Sequence, residues 1–301
     1  MDAILKLGTR GSPLALAQAN MVADGLAAHG TPAEIVVVST VGDRVQDRPL
    51  AEIGGKALWT KELDAALIDG RIDLAVHSMK DVETALNPGV TLAAMLPRAD
   101  VRDRLIGAAS LGALRHGAKL GTSSPRRAAQ LLSVRPDLRI EMMRGNVATR
   151  LARIAAGDFD ATLLAAAGLD RLGIDAGVAL ELDDWLPAPA QGAVGIAVRT
   201  GDAATTAAVA KLGDADTFAC VMLERHFLSC LVADCHSPVA ALARLENGAV
   251  HFVAEIIMAD GSERQHGATR ALIDDAAAAV ATLAAELLAS ASPKLRAQFG
   301  G

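Results

Sequence analysis

Two segments of the sequence combine a serine–proline pair with hydroxyl and arginine side chains at the predicted start of a helix. The first is Gly8-Thr9-Arg10-Gly11-Ser12-Pro13, and the second is Gly121-Thr122-Ser123-Ser124-Pro125-Arg126-Arg127. Serine is a preferred N-cap residue, and proline suits the first helical position. The unbonded N–H groups and the positive end of such a helix favour an anion. Both segments therefore predict an anion site, with an ordinary capped helix and a solvated Arg10 as the alternative for the first.

The second segment carries the stronger signal, because Arg126 and Arg127 both fall in the first helical turn. The helix dipole disfavours cations at that end, so selection for helix stability alone would not place two arginines there. A bound anion reverses the penalty, and the hydroxyl groups of Thr122, Ser123 and Ser124 add donors. We therefore predict that this segment binds carboxylate or phosphate groups.

A third basic segment, Arg144-Gly145-Asn146-Val147-Ala148-Thr149-Arg150, also joins a predicted strand to a helix. Asn146 suits the N-cap position, and Arg150 and Arg153 share one helical face. From Gly121 to Arg153 the net charge is +5, in a chain whose total is −6. Focused positive charge in an acidic protein indicates a small polyanionic ligand rather than a nucleic acid. A basic solvated face is the alternative.

A fourth cluster, His77-Ser78-Met79-Lys80-Asp81-Val82, directly follows the apolar run Ile72–Val76. Open α/β sheets place ligands at the carboxyl ends of their strands, so this loop can supply acid, base and anion contacts. A surface pair of Lys80 and Asp81 is the alternative. In a fifth candidate, Gly54-Gly55-Lys56, the glycines permit close backbone approach, but the spacing of a nucleotide P-loop is missing.

The three cysteines, Cys220, Cys230 and Cys235, all lie in one late segment. An odd, small number, in a chain with no signal-peptide pattern at its start, predicts reduced thiols in the cytoplasm rather than disulfides. Cys235 lies in a predicted loop beside His236, where a thiol can be a nucleophile or an attachment point. An inert, small hydrophobic residue is the alternative. No second Cys/His pair follows Cys230 and Cys235, so no metal site is predicted.

The composition excludes several classes of function. Aromatic residues make up only 2% of the chain and tyrosine is absent, which leaves few surfaces for base stacking. The net charge of −6 argues against a surface that coats DNA or RNA. No charge-free apolar run is long enough to cross a membrane. We therefore expect neither a nucleic acid nor a membrane as a partner.

Short apolar runs alternate with amphipathic stretches through the first two thirds of the chain, which predicts an α/β architecture with mainly parallel sheets. From about Thr217 the pattern changes to that of a small α+β domain. The predicted strands are Ala3–Leu7, Glu34–Ser39, Ile72–His77, Lys119–Gly121, Arg139–Met143, Asp160–Ala165, Ala193–Val198, Val239–Leu245 and Val250–Met258. The predicted helices are Pro13–His29, Ala57–Ile68, Pro125–Val134, Val147–Ala156, Ala203–Leu212, Phe218–Leu228 and Asp274–Ala291.

A weak internal repeat accompanies this alternation. Lys6-Leu7-Gly8-Thr9 recurs as Lys119-Leu120-Gly121-Thr122, and Gly70-Arg71-Ile72-Asp73 is echoed by Gly157-Asp158-Phe159-Asp160. We predict two similar α/β domains, and the pair Gln191-Gly192 marks the point where the chain returns to the first of them. The predicted boundaries are 1–95 with 193–212, 100–187, and 216–301 for the C-terminal domain.

Taken together, these motifs resemble those of the porphobilinogen deaminases, also called hydroxymethylbilane synthases, over essentially the whole chain. The motifs that carry it are Thr9-Arg10-Gly11-Ser12-Pro13-Leu14-Ala15, Gly54-Gly55-Lys56, Lys61-Glu62-Leu63, His77-Ser78-Met79-Lys80-Asp81-Val82, Gly121-Thr122-Ser123-Ser124, Arg126-Arg127, Arg144-Gly145-Asn146-Val147, Thr149-Arg150 and Gln191-Gly192-Ala193.

The resemblance implies two domains like the halves of a type II periplasmic binding protein, and a third that carries the cofactor. It implies the stepwise condensation of four porphobilinogen molecules into hydroxymethylbilane, with loss of ammonia. The cofactor is a dipyrromethane linked to the cysteine that matches Cys235, and Asp81 matches the catalytic aspartate. The implied cofactor residues are Lys80, Asp81, Thr122, Ser123, Ser124, Arg126, Arg127, Arg144, Gly145 and Asn146. The implied substrate residues are Arg10, Ser12, Lys56, Trp59, Arg144, Arg150 and Gln191.

This chemistry agrees with the residues. Each pyrrole unit carries an acetate and a propionate, so basic loops with fixed donors suit the growing chain. A carboxylate such as Asp81 can accept pyrrole N–H bonds, stabilise positive charge and relay a proton. Trp59 stands where the family often has phenylalanine, and it either packs over a pyrrole ring or fills the core.

The sequence departs from the family pattern in four places. Asp234 stands before the presumed attachment cysteine, where glycine is commoner, and Pro125, Glu83 and Ala190 replace an aliphatic residue, a proline and a glycine. The rival hypothesis is a binding protein with two similar domains and no catalysis, which does not explain a third domain with a cysteine loop. We expect a monomer.

Overall fold

The computed structural model describes residues 4–39 and 60–300, and these divide into two compact units. The first unit holds residues up to Ala99 together with Gly192–Phe218, and the second holds Asp100–Gln191 and Ala219 onward. The predicted α/β class is confirmed, since each unit contains a five-stranded mixed sheet, and the second also contains a three-stranded antiparallel sheet. No helix in the described ranges is long and apolar enough to cross a membrane.

Thirteen strands and nine α-helices form the described part of the chain. The strands are β1 (Leu5–Thr9), β2 (Ala33–Val37), β3 (Leu74–Ser78), β4 (Val90–Met95), β5 (Asp103–Ile106), β6 (Lys119–Gly121), β7 (Arg139–Glu141), β8 (Ala161–Ala165), β9 (Val178–Ala179), β10 (Val194–Arg199), β11 (Val239–Glu246), β12 (Ala249–Ile257) and β13 (Arg264–Leu272). The helices are α1 (Pro13–Ala28), α2 (Lys61–Ile68), α3 (Pro125–Val134), α4 (Val147–Ala155), α5 (Ala166–Arg171), α6 (Ala203–Ala210), α7 (Ala215–Cys230), α8 (Ala276–Ser290) and α9 (Pro293–Arg296).

The two five-stranded sheets have the same strand order. The first runs β2-β1-β3-β10-β4 and the second runs β7-β6-β8-β5-β9. In each sheet the first three strands are parallel, and the fourth is antiparallel to both of its neighbours. The chain enters the fourth strand of each sheet just after it passes from one unit to the other. Strand β5 follows the boundary after Ala99, and β10 follows the boundary after Gln191. The return of the chain to the first sheet after Gln191-Gly192 is therefore confirmed.

The two sheets also contain equivalent hydrogen bonds, in addition to having the same strand order. The backbone N–H of Lys6 donates to the Asp73 carboxylate at 2.7 Å, and the N–H of Asp73 donates to the Lys6 carbonyl at 2.9 Å. Lys119 and Asp160 make the same two bonds at 2.7 and 2.8 Å. These are the residues that the sequence repeat pairs, so the repeat reflects a shared strand-to-strand connection.

The helix starts follow from side-chain caps. The Ser12 hydroxyl accepts a hydrogen bond from the Ala15 N–H at the start of α1, and Ser124 accepts one from the Arg127 N–H at the start of α3. A proline follows each serine at the first helical position, where its missing N–H costs nothing. Asn146 caps α4 in the same way. Each of these helices therefore begins directly after a β-strand and a short polar loop.

The three-stranded sheet runs β11-β12-β13 and packs against α7 and α8 around its own hydrophobic core. Asn247 and Gly248 form the two-residue turn between β11 and β12, and both have positive φ angles, as a type I′ hairpin requires. The division into three domains with the boundaries predicted above stays a prediction, because this sheet belongs to the second compact unit.

Strands β4, β5, β9 and β13 and the short helices α5 and α9 were not predicted, and the other elements lie within a few residues of their predicted positions. In β13 exposed and half-buried residues alternate along its whole length, and few of them are apolar. In β5 the apolar run is only two residues long, Leu105 and Ile106. Both strands depend on pairing with distant parts of the chain.

Candidate active site

Asp81 lies in a short 3₁₀ turn, Met79–Asp81, that follows the buried strand β3. Met79 is 1% exposed and anchors this turn, because its N–H donates to the Ala193 carbonyl at 3.1 Å. Its own carbonyl accepts from the Val82 N–H at 3.2 Å. Asp81 itself is exposed. The turn thus presents a carboxylate to solvent from a fixed, buried base at the carboxyl end of β3.

The polar residues from His77 to Asp81 differ in how far they are buried. His77 is buried, and burial first and the nearby charge of Arg10 second lower its pKa to about 4, so it is neutral at neutral pH. The Ser78 hydroxyl lies 2.9 and 3.0 Å from the two side-chain polar atoms of Gln18 on α1. Lys80 is half-buried beside Asp81. Asp81 is thus the exposed acid–base group of the segment.

Gly195 on β10 leaves the space that Met79 fills. A Cβ atom at Gly195 would lie 2.1 Å from the Met79 sulfur, which is far inside van der Waals contact. We expect Gly195→Ala to cost about 1–3 kcal/mol of unfolding free energy, the range for overpacking a core, and to displace the Asp81 turn. Urea unfolding measures the first effect, and turnover measures the second. The control is Ala197→Gly, on the same strand as Gly195. Gly201→Ala would be a poor control, because Gly201 has a positive φ angle. A Gly195→Ala variant as stable as the native chain would contradict this packing.

The remaining predicted residues of the first unit are only partly described. Ser12 caps α1, and Arg10 is half-buried and close enough to act on the pKa of His77. Lys56 and Trp59 lie outside the described residues, as does the loop Thr40–Leu50. Asp64 on α2 was not predicted as a functional residue, but it lines a cavity of about 250 Å³ together with His77 and Glu83. Burial raises the pKa of Asp64 to about 6.

In the second unit, the loops after the adjacent parallel strands β6 and β7 meet. Arg150 on α4 donates from Nε to the Gly145 carbonyl at 3.0 Å and from Nη2 to the Ser123 hydroxyl at 3.4 Å. Gly145 has a φ of +110°, and a Cβ atom there would lie 2.8 Å from the Thr149 methyl group. Ser123 and Asn146 are exposed, whereas Thr122 is buried. These loops bring hydroxyl, amide and guanidinium donors to one edge of the sheet.

Arg126 and Arg127 have a protein partner that was not predicted. Both are buried, at 3% and 5% exposure, and both bind Asp103, which is fully buried at the start of β5. Arg127 holds both carboxylate oxygens, at 2.7 Å from Nη2 and 3.2 Å from Nε, and Arg126 Nη2 holds one at 2.9 Å. Asp103 therefore supplies an anion that offsets the two cations in the first turn of α3, and the binding of carboxylate or phosphate groups by this segment stays a prediction.

Two further donors complete the Asp103 cluster. The Trp185 indole N–H lies 3.0 Å from Asp103 Oδ2, and the Gln191 amide nitrogen lies 2.9 Å from Oδ1. Burial alone would raise the pKa of Asp103, but the charges of Arg126 and Arg127 and the hydrogen bonds hold it far below its usual range. Three residues predicted as separate ligand contacts, Arg126, Arg127 and Gln191, thus meet on one buried carboxylate.

Cys235 lies in the loop between α7 and β11 and is half-buried, and none of the three cysteines forms a disulfide. The Asp234 carboxylate folds back onto this loop and accepts a hydrogen bond from the His236 N–H at 2.9 Å. The Asp234 N–H donates to the Ser237 hydroxyl at 3.1 Å. Asp234 therefore shapes the loop that carries Cys235.

The sequence of this chain is similar to proteins of one family. The family model described as porphobilinogen deaminase, dipyromethane cofactor binding domain, matches residues 5–207, and the model of the C-terminal domain of porphobilinogen deaminase matches residues 218–289. Porphobilinogen deaminase of Sphingopyxis alaskensis is 53% identical over 99% of this chain and 97% of its own length. That of Nitrobacter hamburgensis is 46% identical over 100% and 98%.

Some solved structures of binding proteins are also similar to part of the chain. The methionine-binding protein MetQ covers 71% of this chain and 91% of its own, with 14% identity and a TM-score of 0.44. An ancestral cationic amino acid solute-binding protein covers 69% and 87%, with 16% identity and a TM-score of 0.44.

Proposed function

Since the chain belongs to the porphobilinogen deaminase family, we propose that the Asp81 turn of the first unit and the polar loops after β6 and β7 of the second unit carry out that family's reaction. The reaction condenses four porphobilinogen molecules head to tail into hydroxymethylbilane and releases ammonia at each addition. The observation that carries this proposal is the 53% identity along nearly the whole of both chains. The geometry adds which residues act and how.

The cofactor of the family is dipyrromethane, bound covalently through a cysteine, and it supplies the pyrrole chain to which substrate units are added. We assign the attachment to Cys235. Its loop position and partial exposure support this, whereas Cys220 is 5% exposed. Cys230 lies within α7, and burial raises the pKa of its thiol, which disfavours the nucleophilic thiolate. Cys235 is therefore the thiol best suited to attachment.

The loops of the second unit suit the acetate and propionate groups of pyrroles. The side chains of Ser123, Arg144 and Arg150 are exposed or half-buried at the edge of the sheet, where they can donate to carboxylates. We assign the same role to Thr122, Ser124 and Asn146, to the backbone N–H of Gly145, and in the first unit to Arg10, Ser12 and Lys80, as the family pattern implies. Lys56 and Trp59 keep their predicted substrate roles.

Arg126 and Arg127 differ in how well they fit a carboxylate ligand. The Nε atom of Arg126 is buried and has no hydrogen-bond partner among the described residues, so it can still donate to a carboxylate oxygen. All three nitrogens of the Arg127 guanidinium already donate, two to Asp103 and one to the Leu163 carbonyl. We therefore propose direct cofactor contact for Arg126, and for Arg127 and Gln191 a role through Asp103.

Asp81 is the proposed catalytic group. When the substrate's aminomethyl C–N bond breaks and ammonia leaves, positive charge develops on the pyrrole nitrogen. An exposed carboxylate on a fixed turn can accept the pyrrole N–H and stabilise that charge. After the new carbon–carbon bond forms, the same carboxylate can take the proton that the attacked ring loses. His77 next to this turn is buried, so a substrate reaches it less easily than the exposed Asp81.

We also propose that the protein is a monomer of the cytoplasm and that it binds neither nucleic acid nor membrane. The net charge of −6 and the scarcity of aromatic residues support the absence of nucleic acid. Three cysteines without a disulfide agree with a reducing compartment. Sedimentation of the purified chain tests the oligomeric state, and a dimer would contradict it.

Product stoichiometry tests the proposed function. Purified protein incubated with porphobilinogen should form one hydroxymethylbilane and four ammonia molecules for every four substrate molecules consumed. Ehrlich's reagent should colour the substrate-free holoenzyme, because a bound dipyrromethane reacts with it. A protein that binds porphobilinogen, gives no colour and releases no ammonia would support the rival hypothesis of a non-catalytic binding protein.

A further inference from the structure

A buried side chain, Gln130, links the helix that carries Arg126 and Arg127 to the three-stranded sheet. Its amide oxygen accepts a hydrogen bond from Arg126 Nη1 at 2.7 Å. Its amide nitrogen donates to the Leu186 carbonyl at 3.0 Å and to Glu255 Oε1 on β12 at 2.5 Å. Carboxylate oxygens only accept, so the orientation of the Gln130 amide is fixed at both ends.

Glu255 also supplies a charge that this cluster needs. Two guanidinium groups, those of Arg126 and Arg127, are buried against one carboxylate, Asp103. Buried charges are stable only when they are paired and hydrogen-bonded, and this set has one more cation than anion. Glu255 is fully buried, its charge acts on Arg126, and its other oxygen pairs with Arg264 on β13. It is therefore a second anion near the arginine pair, and it shares its charge with the partly exposed Arg264.

A backbone contact shows that the sheet and the helix are packed closely here. Gly261 lies in the turn between β12 and β13 with a φ of +74°. A Cβ atom there would lie 2.5 Å from the Leu132 carbonyl carbon and from the Ser133 nitrogen near the end of α3. The turn thus rests directly on the helix backbone, and Glu255 meets Gln130 from a sheet that is already fixed against α3.

We propose that Gln130 and Glu255 are positioning residues for the reaction, through which the three-stranded sheet holds the Arg126 guanidinium in the orientation that binds a cofactor carboxylate. This rests on the proposed function, which assigns Arg126 to the cofactor. Neither residue touches the ligand. Gln130 accepts a hydrogen bond from Nη1 of the Arg126 guanidinium and Asp103 accepts one from Nη2, so Nε is left to donate to a carboxylate oxygen.

The test compares cofactor assembly in full-length apoprotein variants incubated with porphobilinogen, followed by intact-protein mass spectrometry over time. Gln130→Met and Glu255→Met remove the link and keep the side-chain size. Glu255→Gln keeps an acceptor for the Gln130 amide. Leu287→Ala, in the core behind the same sheet, lowers stability without touching the link. Arg126→Leu sets the scale of the effect.

We expect Arg126→Leu to slow assembly by about 10- to 150-fold, the range for a lost charged hydrogen bond. Gln130→Met and Glu255→Met should slow it at least about fivefold, and Glu255→Gln, which keeps the acceptor but loses the charge, should assemble faster than Glu255→Met and more slowly than the native chain. Leu287→Ala should assemble normally despite a lower Tm. If Gln130→Met does not fold, the pair Glu255→Met and Glu255→Gln gives the same comparison.

Three outcomes separate the claims. Normal assembly by Arg126→Leu would overturn the assignment of that arginine, and with it this inference. Slow assembly by Arg126→Leu with normal assembly by both methionine variants would overturn the positioning role alone. Rates that follow Tm across all variants, Leu287→Ala included, would show that Gln130 and Glu255 only stabilise the fold.

Discussion

Replacing Asp81 by asparagine is expected to lower kcat at least about 100-fold, the low end for a positioned acid–base group, and to leave KM nearly unchanged. The carboxylate stabilises charge that exists only while the C–N bond breaks and the new bond forms. An interaction made mainly in the transition state affects turnover more than ground-state binding. Steady-state kinetics on holoenzyme supplied with preassembled tetrapyrrole measures the effect.

Glu83→Gln is the matched control for this prediction, because it makes the same carboxylate-to-amide change two residues away on the same segment. We expect it to change kcat by less than about threefold. Both variants should keep the native Tm, since Asp81 is exposed and the turn is held by Met79. An Asp81→Asn variant with lower Tm and near-normal kcat would instead make Asp81 a structural partner of Lys80.

Replacing Asp103 by asparagine is expected to cost about 3–5 kcal/mol of unfolding free energy, because it leaves two buried guanidinium groups without their shared carboxylate. For compact units of this size, the Tm should fall by about 10 °C. Asp103 receives hydrogen bonds from Arg126, Arg127, Trp185 and Gln191, so no single rearrangement can satisfy all four donors. Thermal unfolding followed by circular dichroism measures the loss.

The pH dependence of stability gives a second readout of Asp103. Its pKa in the folded protein lies below that of the unfolded chain, so its contribution is fully present above about pH 4 and is lost as the pH falls further. In Asp103→Asn, the free energy of unfolding should therefore fall less steeply as the pH decreases below about 4. Asp158→Asn, which breaks an exposed pair with Arg153, is the control and should change stability by no more than about 0.5 kcal/mol. If Asp103→Asn is as stable as Asp158→Asn, the Asp103 cluster does not contribute to the free energy of unfolding as we expect.

Local chemistry made the helix starts and the repeat predictable. Ser12-Pro13 and Ser124-Pro125 determine where α1 and α3 begin, because a cap and a proline act within one turn of the chain. The repeated Lys and Asp positions correspond to one strand-to-strand connection in each sheet. The loops that follow β3, β6 and β7 could likewise be identified, since strand ends in α/β sheets are where ligands bind.

The Asp103 cluster could not be predicted, because its members come together only through tertiary structure. Arg126 and Arg127 lie more than 20 residues from Asp103 in sequence, and Trp185 and Gln191 lie more than 80 residues away. Asp103 begins an antiparallel strand with too short an apolar run to be recognised. A cation in the first turn of a helix indicates a nearby anion, but the sequence does not tell whether that anion is a ligand or a buried side chain.

The same reasoning applies to Gln130 and Glu255, which are 125 residues apart. Gln130 lies on the buried face of an amphipathic helix, and Glu255 lies in a strand of mostly apolar residues. A buried carboxylate in such a strand is costly unless it is paired, so its presence is a signal that a partner exists. Which partner it meets depends on how the sheet packs on α3.

Intact-protein mass spectrometry of the purified holoenzyme decides whether this chain is a porphobilinogen deaminase whose cofactor is attached at Cys235. The native chain, Cys220→Ser and Cys230→Ser should all carry the added mass of two pyrrole units, because the first thiol is buried and the second lies within a helix. Cys235→Ser should lack that mass and turn over no porphobilinogen. Retention of the added mass in Cys235→Ser, or its absence from the native holoenzyme, would contradict the account.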